Sequence, residues 1–265
     1  INYLVVANNK NFIFRMSAHS ENKVKLKREY VGLNAIASLK ISPKPLFFDD
    51  SGKKFENEIL VLEYVAGDKI ALKNLDNSMI KQLAQIVSKI HRFDVRKLKL
   101  PIRSRNFEVD EILDYRDKFR RFVKDKKFFE MYNESIENIK KEYALFSKKK
   151  RRTLNHSDVQ VGNILITKSG IKLIDWEFMY LGDPVREIAY IFVDFGRIFT
   201  EGEKQIFYKN YLKVDENFKE DIKIYEKIRY LEGVYWALWH VLKIKNGLMQ
   251  EEYVRDTSVA GHVNF

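Results

Sequence analysis

LNHSDVQVGNILITKSGIKLIDWEF, residues 154–178, places acidic and amide side chains around two short apolar runs. The runs ILIT and IKLI flank KSG at 168–170, which is typical of a turn, and together they predict a β-hairpin. Asn163 enters the first strand and Asp175 leaves the second, so the hairpin brings them together although they are twelve residues apart. Asp158 lies on the loop that leads into the hairpin.

These side chains offer oxygen ligands, which suit Mg²⁺. The chain has no cysteine, which excludes a thiolate metal site or nucleophile, and it has no His/Cys set for zinc. A Mg²⁺ ion with few protein ligands fills its other positions with water and nucleotide phosphates. Asp158 stands apart from the pair formed by Asn163 and Asp175, and therefore suits a general base that orients a hydroxyl toward a phosphorus.

Length and composition limit the class of protein. The 265 residues, 45% of them hydrophobic, suffice for one large domain or for two lobes with a hydrophobic core. No apolar run approaches the ~18–20 residues of a membrane span, and the first segment lacks the features of a signal peptide. The absence of cysteine fits a reducing compartment, so we expect a cytoplasmic protein.

The net charge of +11 arises partly from basic clusters at 23–28, 116–127 and 148–152. Such a chain could bind nucleic acid, anionic lipid or the phosphates of a small ligand. No nucleic-acid-binding motif accompanies the charge. We therefore interpret the clusters as a lysine-rich solvated surface and expect no nucleic-acid partner; a nucleic-acid binder is an alternative that rests on charge alone.

The first 66 residues predict a small antiparallel sheet with one helix. NYLVVANNKNFIFRM at 2–16 is typical of a β-hairpin, and apolar residues at helical spacing follow within 22–40. PLFFDD at 45–50 and EILVLEYV at 58–65 predict two more strands.

Residues 67–265 predict a larger and mostly helical part. The only strands expected there are short, at about 152–154, 163–167 and 171–174. We therefore predict an α+β fold with two lobes: an N-lobe of residues 1–66 built on the antiparallel sheet, and a helical C-lobe of residues 67–265. The predicted C-lobe helices lie at about 77–93, two within 107–147, and at 184–195, 202–212 and 217–246.

The motif His156-Ser157-Asp158, followed after four residues by Asn163, resembles the H-x-D-x-x-x-x-N catalytic loop of protein-kinase-like enzymes. The sequence DWE at 175–177 resembles their metal-binding D-F-G motif. The D-W-E form, with GDP at 182–184 and EIA at 187–189, is similar to the aminoglycoside phosphotransferase and choline kinase superfamily.

The resemblance implies a protein-kinase-like two-lobe fold and a kinase that uses ATP and Mg²⁺. It implies that Asp158 is the catalytic base and that Asn163 and Asp175 hold the metal. Glu177 would be a further ligand or would orient one, and His156 would brace the loop. Glu187 stands where the superfamily usually has Asp, and we interpret it as a brace for the loop rather than a catalyst.

The nucleotide-binding residues are predicted in the N-lobe. Arg15, on the second strand, would neutralise phosphate charge, and Glu29, on the following helix, would hold Arg15. Choline kinases carry Arg at the corresponding strand position. Glu63 and Val65, in the segment LVLEYVAGD, would offer backbone groups to adenine. The superfamily's phosphate-covering G-G-x-T-N loop precedes the strand that matches NYLVV, so we expect this loop upstream of Ile1.

The acceptor is predicted from the C-lobe. Trp236 and Trp239 lie three residues apart on one predicted helix, a spacing that also fits core packing. Choline kinases have a similar W-x-L-W segment that forms a cage for quaternary ammonium by cation–π attraction. Gln160 and Asp194 match that family's loop glutamine and cage carboxylate, and Phe178 stands where it usually has Tyr.

We therefore predict ATP-dependent phosphorylation of a small amino alcohol, choline or ethanolamine. The alternative enzyme is an aminoglycoside or other small-molecule kinase of the same superfamily. An aminoglycoside pocket would need many acids for its many ammonium groups, and the C-terminal part is not conspicuously acidic. A non-catalytic nucleotide-binding module is a further alternative, although it would not need the complete set of Asp158, Asn163 and Asp175.

Overall fold

A computed structural model describes residues 2–17, 23–98, 126–144, 151–211 and 214–245. Within these ranges, nothing is described of the side chains at 23–25, 74, 143, 235–236 and 238–245. The described residues form small antiparallel sheets and helices, which confirms the predicted α+β class. None of the described helices is both long enough and apolar enough to cross a bilayer.

Contacts along the chain divide it into two compact units. Unit 1 contains residues 1–105, 151–187 and 200–213, and unit 2 contains residues 106–150, 188–199 and 214–265. The N-terminal sheet and the hairpin of residues 164–173 both belong to unit 1. The lobe boundary between residues 66 and 67 stays a prediction.

The N-terminal sheet is antiparallel throughout, with the strand order β1-β2-β4-β3. Asn8 and Asn9 connect β1 to β2 and both have a positive φ, 50° and 58°. Asparagine tolerates this left-handed conformation, which a two-residue hairpin turn of this kind requires. The strands are β1 (Asn2–Ala7), β2 (Lys10–Met16), β3 (Pro45–Asp49) and β4 (Ile59–Glu63).

The first helix, α1 (Lys23–Ile36), packs on this sheet. Leu26, Leu33 and Ile36 recur at helical spacing and are buried, because they form the apolar stripe that faces β3 and β4. The helix ends four residues before the predicted limit of 40, and Ala37–Leu39 continues it as a 3₁₀ turn.

A second sheet carries the predicted hairpin. It contains β5 (Asp68–Lys69), β7 (Ile164–Thr167) and β8 (Gly170–Leu173) in the order β5-β7-β8. A two-stranded pair joins β6 (Thr153–Asn155) to β9 (Tyr180–Gly182). The sequence predicted β6, β7 and β8; β5 and β9, with two and three residues, were not predicted.

The remaining helices agree with the sequence to within a few residues. Asp76 caps α2 by accepting a hydrogen bond from the Met79 amide at 2.8 Å, and Thr200 forms a capping box with Glu203 at the start of α5. Part of the region predicted to hold two helices, 107–147, lies outside the described residues. The helices are α2 (Asn77–His91), α3 (Lys126–Ala144), α4 (Pro184–Asp194), α5 (Glu201–Asn210) and α6 (Glu216–Lys245).

Candidate functional site

The hairpin β7–β8 sets the position of the predicted metal ligands. Its register pairs Ile164 with Leu173, and beyond this pair the Ile174 amide donates a hydrogen bond to the Asn163 carbonyl at 2.9 Å. Asn163 and Asp175 thus lie at adjacent strand ends, as the sequence predicts.

The Asp158 carboxylate is oriented by two amide side chains. Asn163 Nδ2 donates to Asp158 Oδ2 at 2.6 Å and to its carbonyl oxygen at 2.9 Å, and Gln160 Nε2 donates to Oδ1 at 3.0 Å. Burial raises the pKa of Asp158, while His156 and these amide donors oppose the rise. A partly desolvated carboxylate with fixed orientation and a raised pKa suits a general base.

Arg15 links the N-terminal sheet to the turn that holds the predicted metal ligand Asp175. Its Nη1 donates to Glu29 Oε1 at 2.6 Å and its Nη2 to Asp175 Oδ1 at 2.9 Å, while Glu177 Oε2 lies 3.7 Å from Nη2. These four side chains were predicted from separate parts of the sequence, and the structure brings them together. One guanidinium among three carboxylates leaves excess negative charge near Asp175, which favours binding of a further cation there.

Glu29 is 1% exposed and also accepts a hydrogen bond from the Trp176 amide at 3.3 Å. Its second oxygen, Oε2, is buried and has no hydrogen-bond partner among the described residues. Burial raises the pKa of Glu29 to about 7, although the charge of Arg15 acts in the opposite direction. The Arg15–Glu29 pair is therefore sensitive to pH near neutrality.

Two residues of the site have backbone conformations that side chains disfavour. Ser157 has φ 76° and Asp175 has φ 65°, in the left-handed region. Such residues cost about 1–2 kcal/mol each, and they persist where surrounding contacts hold them and often mark functional sites. Ser157 directly precedes Asp158, the predicted base, and Asp175 is itself a predicted metal ligand.

Glu187 braces the loop that carries Asp158. Its Oε1 accepts the Ser157 amide at 2.6 Å, and its Oε2 lies 2.7 Å from His91 Nε2. His91 Nδ1 lies 2.6 Å from the Tyr211 hydroxyl. The carboxylate is almost fully buried, which would raise its pKa, but the hydrogen bond from His91 and the other partners lower the pKa below its ordinary value. Glu187 is thus held as a carboxylate.

Sequence reasoning missed His91 and Tyr211. A signal for His91 existed, because Ile80, Ala84, Val87 and His91 follow helical spacing on the buried side of α2. A histidine that completes an apolar stripe needs a buried partner for each ring nitrogen. No comparable signal marks Tyr211, whose contact with His91 spans 120 residues of sequence.

His156 is fully buried and contacts both halves of the site. The Asp158 amide donates to its Nδ1 at 3.2 Å, and its Nε2 lies 3.0 Å from the Ile174 carbonyl. Its ring packs edge-on against Trp176, with 4.5 Å between ring centroids. Burial lowers the pKa of His156, so the neutral ring connects the loop to the strand that ends at Asp175. This placement agrees with the bracing role expected for His156.

Glu63 and Val65 lie where β4 ends. The Glu63 amide donates to the Lys44 carbonyl at 2.9 Å and its side chain accepts from the Lys44 amide at 3.1 Å. Val65 lies in the segment between β4 and β5, outside any strand, so its backbone groups can be offered to a ligand. Glu63 is the last residue of β4 and its amide is already bonded to Lys44. The nucleotide role of both residues stays a prediction.

The predicted acceptor residues are divided between the two units. In unit 1, Gln160 is bound to Asp158, and Phe178 is 47% exposed. In unit 2, Asp194 pairs with Arg229, a residue that sequence reasoning did not single out. The helical positions 236 and 239 belong to α6, but the side chains of Trp236 and Trp239 lie outside the described residues.

Arg229 belongs to a polar cluster within unit 2. Its guanidinium lies 4.4 Å from the Tyr190 ring centroid, a cation–π arrangement, and its Nη1 lies 3.3 Å from Glu232 Oε2. The Tyr190 hydroxyl donates to the same Glu232 oxygen. Asp194 is therefore already paired with a cation, which its predicted role as a cage carboxylate did not anticipate.

The donor set fits Mg²⁺ better than a transition metal. Among the residues that the structure describes, no three His, Cys, Asp or Glu side chains form a metal-binding group. The amide nitrogen of Asn163 is directed at Asp158, which leaves its amide oxygen as the side-chain atom able to bind a metal. Together with the Asp175 carboxylate this offers two hard oxygen ligands, the small number typical of Mg²⁺ in nucleotide sites.

Comparisons with known proteins bear on the family and the fold of the chain. The model of a phosphotransferase enzyme family matches residues 1–221. No curated protein sequence matches the chain.

Three solved structures share the fold. Choline kinase LicA from Streptococcus pneumoniae is 23% identical, with a TM-score of 0.66 over 99% of this chain and 88% of that one. A spectinomycin phosphotransferase in its AMP-bound complex is 17% identical, with a TM-score of 0.70 over 100% and 91%. An ethanolamine kinase from Plasmodium vivax is 15% identical, with a TM-score of 0.65 over 98% and 81%.

These likenesses confirm the predicted kinase-like two-lobe fold class. The family match covers most of the sequence, including the loop with Asp158 and the D-W-E turn. The chain therefore belongs to the phosphotransferase enzyme family.

Proposed function

We propose that the protein transfers the γ-phosphoryl group of ATP to the hydroxyl of a small amino alcohol, with choline or ethanolamine as the preferred acceptor. The observation that carries the proposal is the convergence of Arg15, Glu29, Asp175 and Asp158 in unit 1, with hydrogen bonds of 2.6–3.0 Å that fix each carboxylate or guanidinium. Phosphoryl transfer needs little covalent chemistry from the protein and depends on positioning and charge stabilisation, which this arrangement supplies.

Asp158 would accept or orient the proton of the acceptor hydroxyl. Gln160 and Asn163 hold its two carboxylate oxygens, so its orientation is fixed before an acceptor arrives. Burial raises its pKa, which makes it a stronger base than an exposed aspartate.

Asn163 and Asp175 would hold Mg²⁺, with Glu177 as a further ligand or as a group that orients one. The bound ion would supply neutralisation of phosphate charge. Arg15 contacts Asp175 directly, so it would add positive charge at the same place, and Glu29 keeps its guanidinium there. The nucleotide base would be held by backbone groups of Glu63 and Val65.

The choice of an amino alcohol rests on the predicted acceptor residues and on the choline and ethanolamine kinases among the similar structures. We propose that Trp236, Trp239, Phe178 and Asp194 contribute to binding the ammonium group. An aminoglycoside or other small-molecule acceptor is the second candidate, favoured by the Asp194–Arg229 pair and by the spectinomycin phosphotransferase among the similar structures.

A panel of acceptors tests the proposal. Purified protein would be incubated with ATP and Mg²⁺ and with choline, ethanolamine, thiamine, spectinomycin or kanamycin, and ADP release would be measured. We expect the highest kcat/KM with choline or ethanolamine. Turnover of an aminoglycoside alone would support the second candidate, and no acceptor-dependent ADP release with any compound would refute kinase activity on these classes.

A further inference from the structure

We infer that Gly67 is a positioning residue that fixes the hinge segment, residues 63–67, against the hairpin that carries the predicted metal ligands. This inference rests on the proposed function, because it assigns a role in placing the nucleotide. Gly67 follows the two residues whose backbone is proposed to bind the base, and it immediately precedes β5.

The chain after Gly67 is hydrogen-bonded into the second sheet. Asp68 pairs with Ile166 and Lys69 with Leu165 in antiparallel register. The chain therefore does not leave β4 as a free linker. It becomes the edge strand beside β7, whose first residue follows Asn163 directly.

The approach at Gly67 is too close for a side chain. A Cβ at this position would lie 2.6 Å from the Ile166 carbonyl oxygen and 3.2 Å from its carbonyl carbon, and contacts under 3.0 Å essentially never occur for real Cβ atoms. The opposing atom belongs to the backbone of β7, and β7 is also paired on its other side, where Ile166 faces Ile171. The carbonyl cannot swing aside as a flexible side chain would.

Any side chain at residue 67 must therefore displace the hinge segment. Gly67 itself is solvent-exposed, so the segment can move outward without opening a core, and the protein should still fold. Moving it shifts Glu63 and Val65 relative to the hairpin that carries Asn163 and Asp175. Because Glu63 and Val65 are the residues proposed to hold the nucleotide base, we expect the loss to appear in nucleotide affinity.

Gly202 provides a matched control. It is the second residue of α5, is solvent-exposed and lies outside both the hinge segment and the loop with Asp158, and a Cβ built there meets nothing within 4 Å. If any added methyl group disturbed nucleotide binding, the two substitutions would have equal effects, whereas the backbone contact predicts that only Gly67→Ala weakens it. The two substitutions add the same methyl group.

The test measures the dissociation constant of ADP by calorimetry, the KM for ATP, and the thermal midpoint of each variant. We expect Gly67→Ala to weaken ADP binding and raise the KM for ATP by about tenfold, the scale of a forced packing change. The KM for the acceptor should stay unchanged, and Gly202→Ala should match the wild type in every nucleotide measurement.

Unchanged ADP affinity in Gly67→Ala, with or without a lower thermal midpoint, would overturn the inference, as would an equal loss in Gly202→Ala. These outcomes differ from failure of the proposed function. If the wild-type protein bound neither ADP nor ATP, the nucleotide-dependent activity itself would be refuted. If it bound ADP but phosphorylated no amino alcohol, the acceptor proposal would fail and the inference on Gly67 could still be measured.

Discussion

The brace formed by Glu187 should control both the stability of unit 1 and the rate of the reaction. Replacing Glu187 by Ala leaves His91 Nε2 and the Ser157 amide without partners, in a place where the His91 and Glu187 side chains are 0% and 1% exposed. Each buried unsatisfied polar group costs about 1–3 kcal/mol. Glu187→Ala should therefore lower the free energy of unfolding by about 2–6 kcal/mol.

The variant Glu187→Gln keeps the shape of the side chain and its ability to form hydrogen bonds, but it removes the negative charge. The amide oxygen can still accept the Ser157 amide, and the amide nitrogen can still contact His91 Nε2, so we expect a loss of about 1 kcal/mol, the net value of one hydrogen bond. The sign of the pH dependence follows from the lowered pKa of Glu187. The carboxylate adds stability above its ordinary pKa, and this stability is lost as the pH falls through the lowered value. Glu187→Gln should remove that part of the acid sensitivity.

The assay is urea unfolding of the three proteins from about pH 2.5 to pH 8, which covers the range below the ordinary pKa of a glutamate, with kcat measured in parallel near neutral pH. Because Ser157 precedes Asp158, Glu187→Ala should also reduce kcat by about a hundredfold, the effect of a misplacement of about 1 Å, while Glu187→Gln should stay within about tenfold. Glu201→Gln is a control for loss of a carboxylate, since Glu201 is 80% exposed and should change stability by less than about 0.5 kcal/mol. Equal stability of Glu187→Ala and Glu187→Gln would refute the brace.

Three further predictions concern other parts of the molecule. The pKa of Glu29 is raised to about 7, so its contribution to stability should be lost as the pH rises from about 4.5 to about 7. Glu29→Gln should flatten this part of the curve of unfolding free energy against pH. An unchanged curve would contradict the assignment. Arg229→Gln should lower the KM for choline by about two- to fivefold, because it removes a cation that competes for Asp194. It should leave the KM for the uncharged analogue 3,3-dimethylbutan-1-ol unchanged; equal effects on both alcohols would contradict competition. Ser157→Gly should stabilise the protein by about 0.5–1 kcal/mol in urea titrations, since relief of the left-handed residue, about 1–2 kcal/mol, exceeds the cost of the extra backbone freedom in the unfolded chain, about 0.4–1 kcal/mol. Destabilisation would show that the serine side chain is needed.

Local patterns predicted the fold well where one chemical signal dominates. The apolar runs around residues 168–170 predicted β7 and β8, and the Asn8-Asn9 pair connects two strands as expected of a hairpin. The short strands β5 and β9 escaped prediction because two or three residues carry no readable alternation of polar and apolar side chains. Their pairing is decided by tertiary contacts with β7 and β6.

The residues of the candidate site were predictable only when they belonged to a motif. Asp158, Asn163 and Asp175 have a recognisable spacing, and Arg15 and Glu29 could be chosen because a kinase needs a cation and its acid partner. Tyr211 and Arg229 have no such signal, because their contacts with His91 and Asp194 join distant parts of the sequence. The close approach of Gly67 to Ile166 likewise depends on strand register. The sequence separation of Gly67 and Ile166 therefore does not predict their contact.

The most direct test of the account is to incubate the wild-type protein and Asp158→Asn with ATP, Mg²⁺ and choline or ethanolamine. The phosphocholine or phosphoethanolamine formed is then measured over time by mass spectrometry. The account predicts product from the wild type and a rate about 10²–10⁴-fold lower in Asp158→Asn, with ADP affinity within about threefold of the wild type. Product formation by Asp158→Asn at the wild-type rate would contradict the role of Asp158 as base. No phosphorylated amino alcohol from a wild-type protein that binds ADP would contradict the proposed reaction.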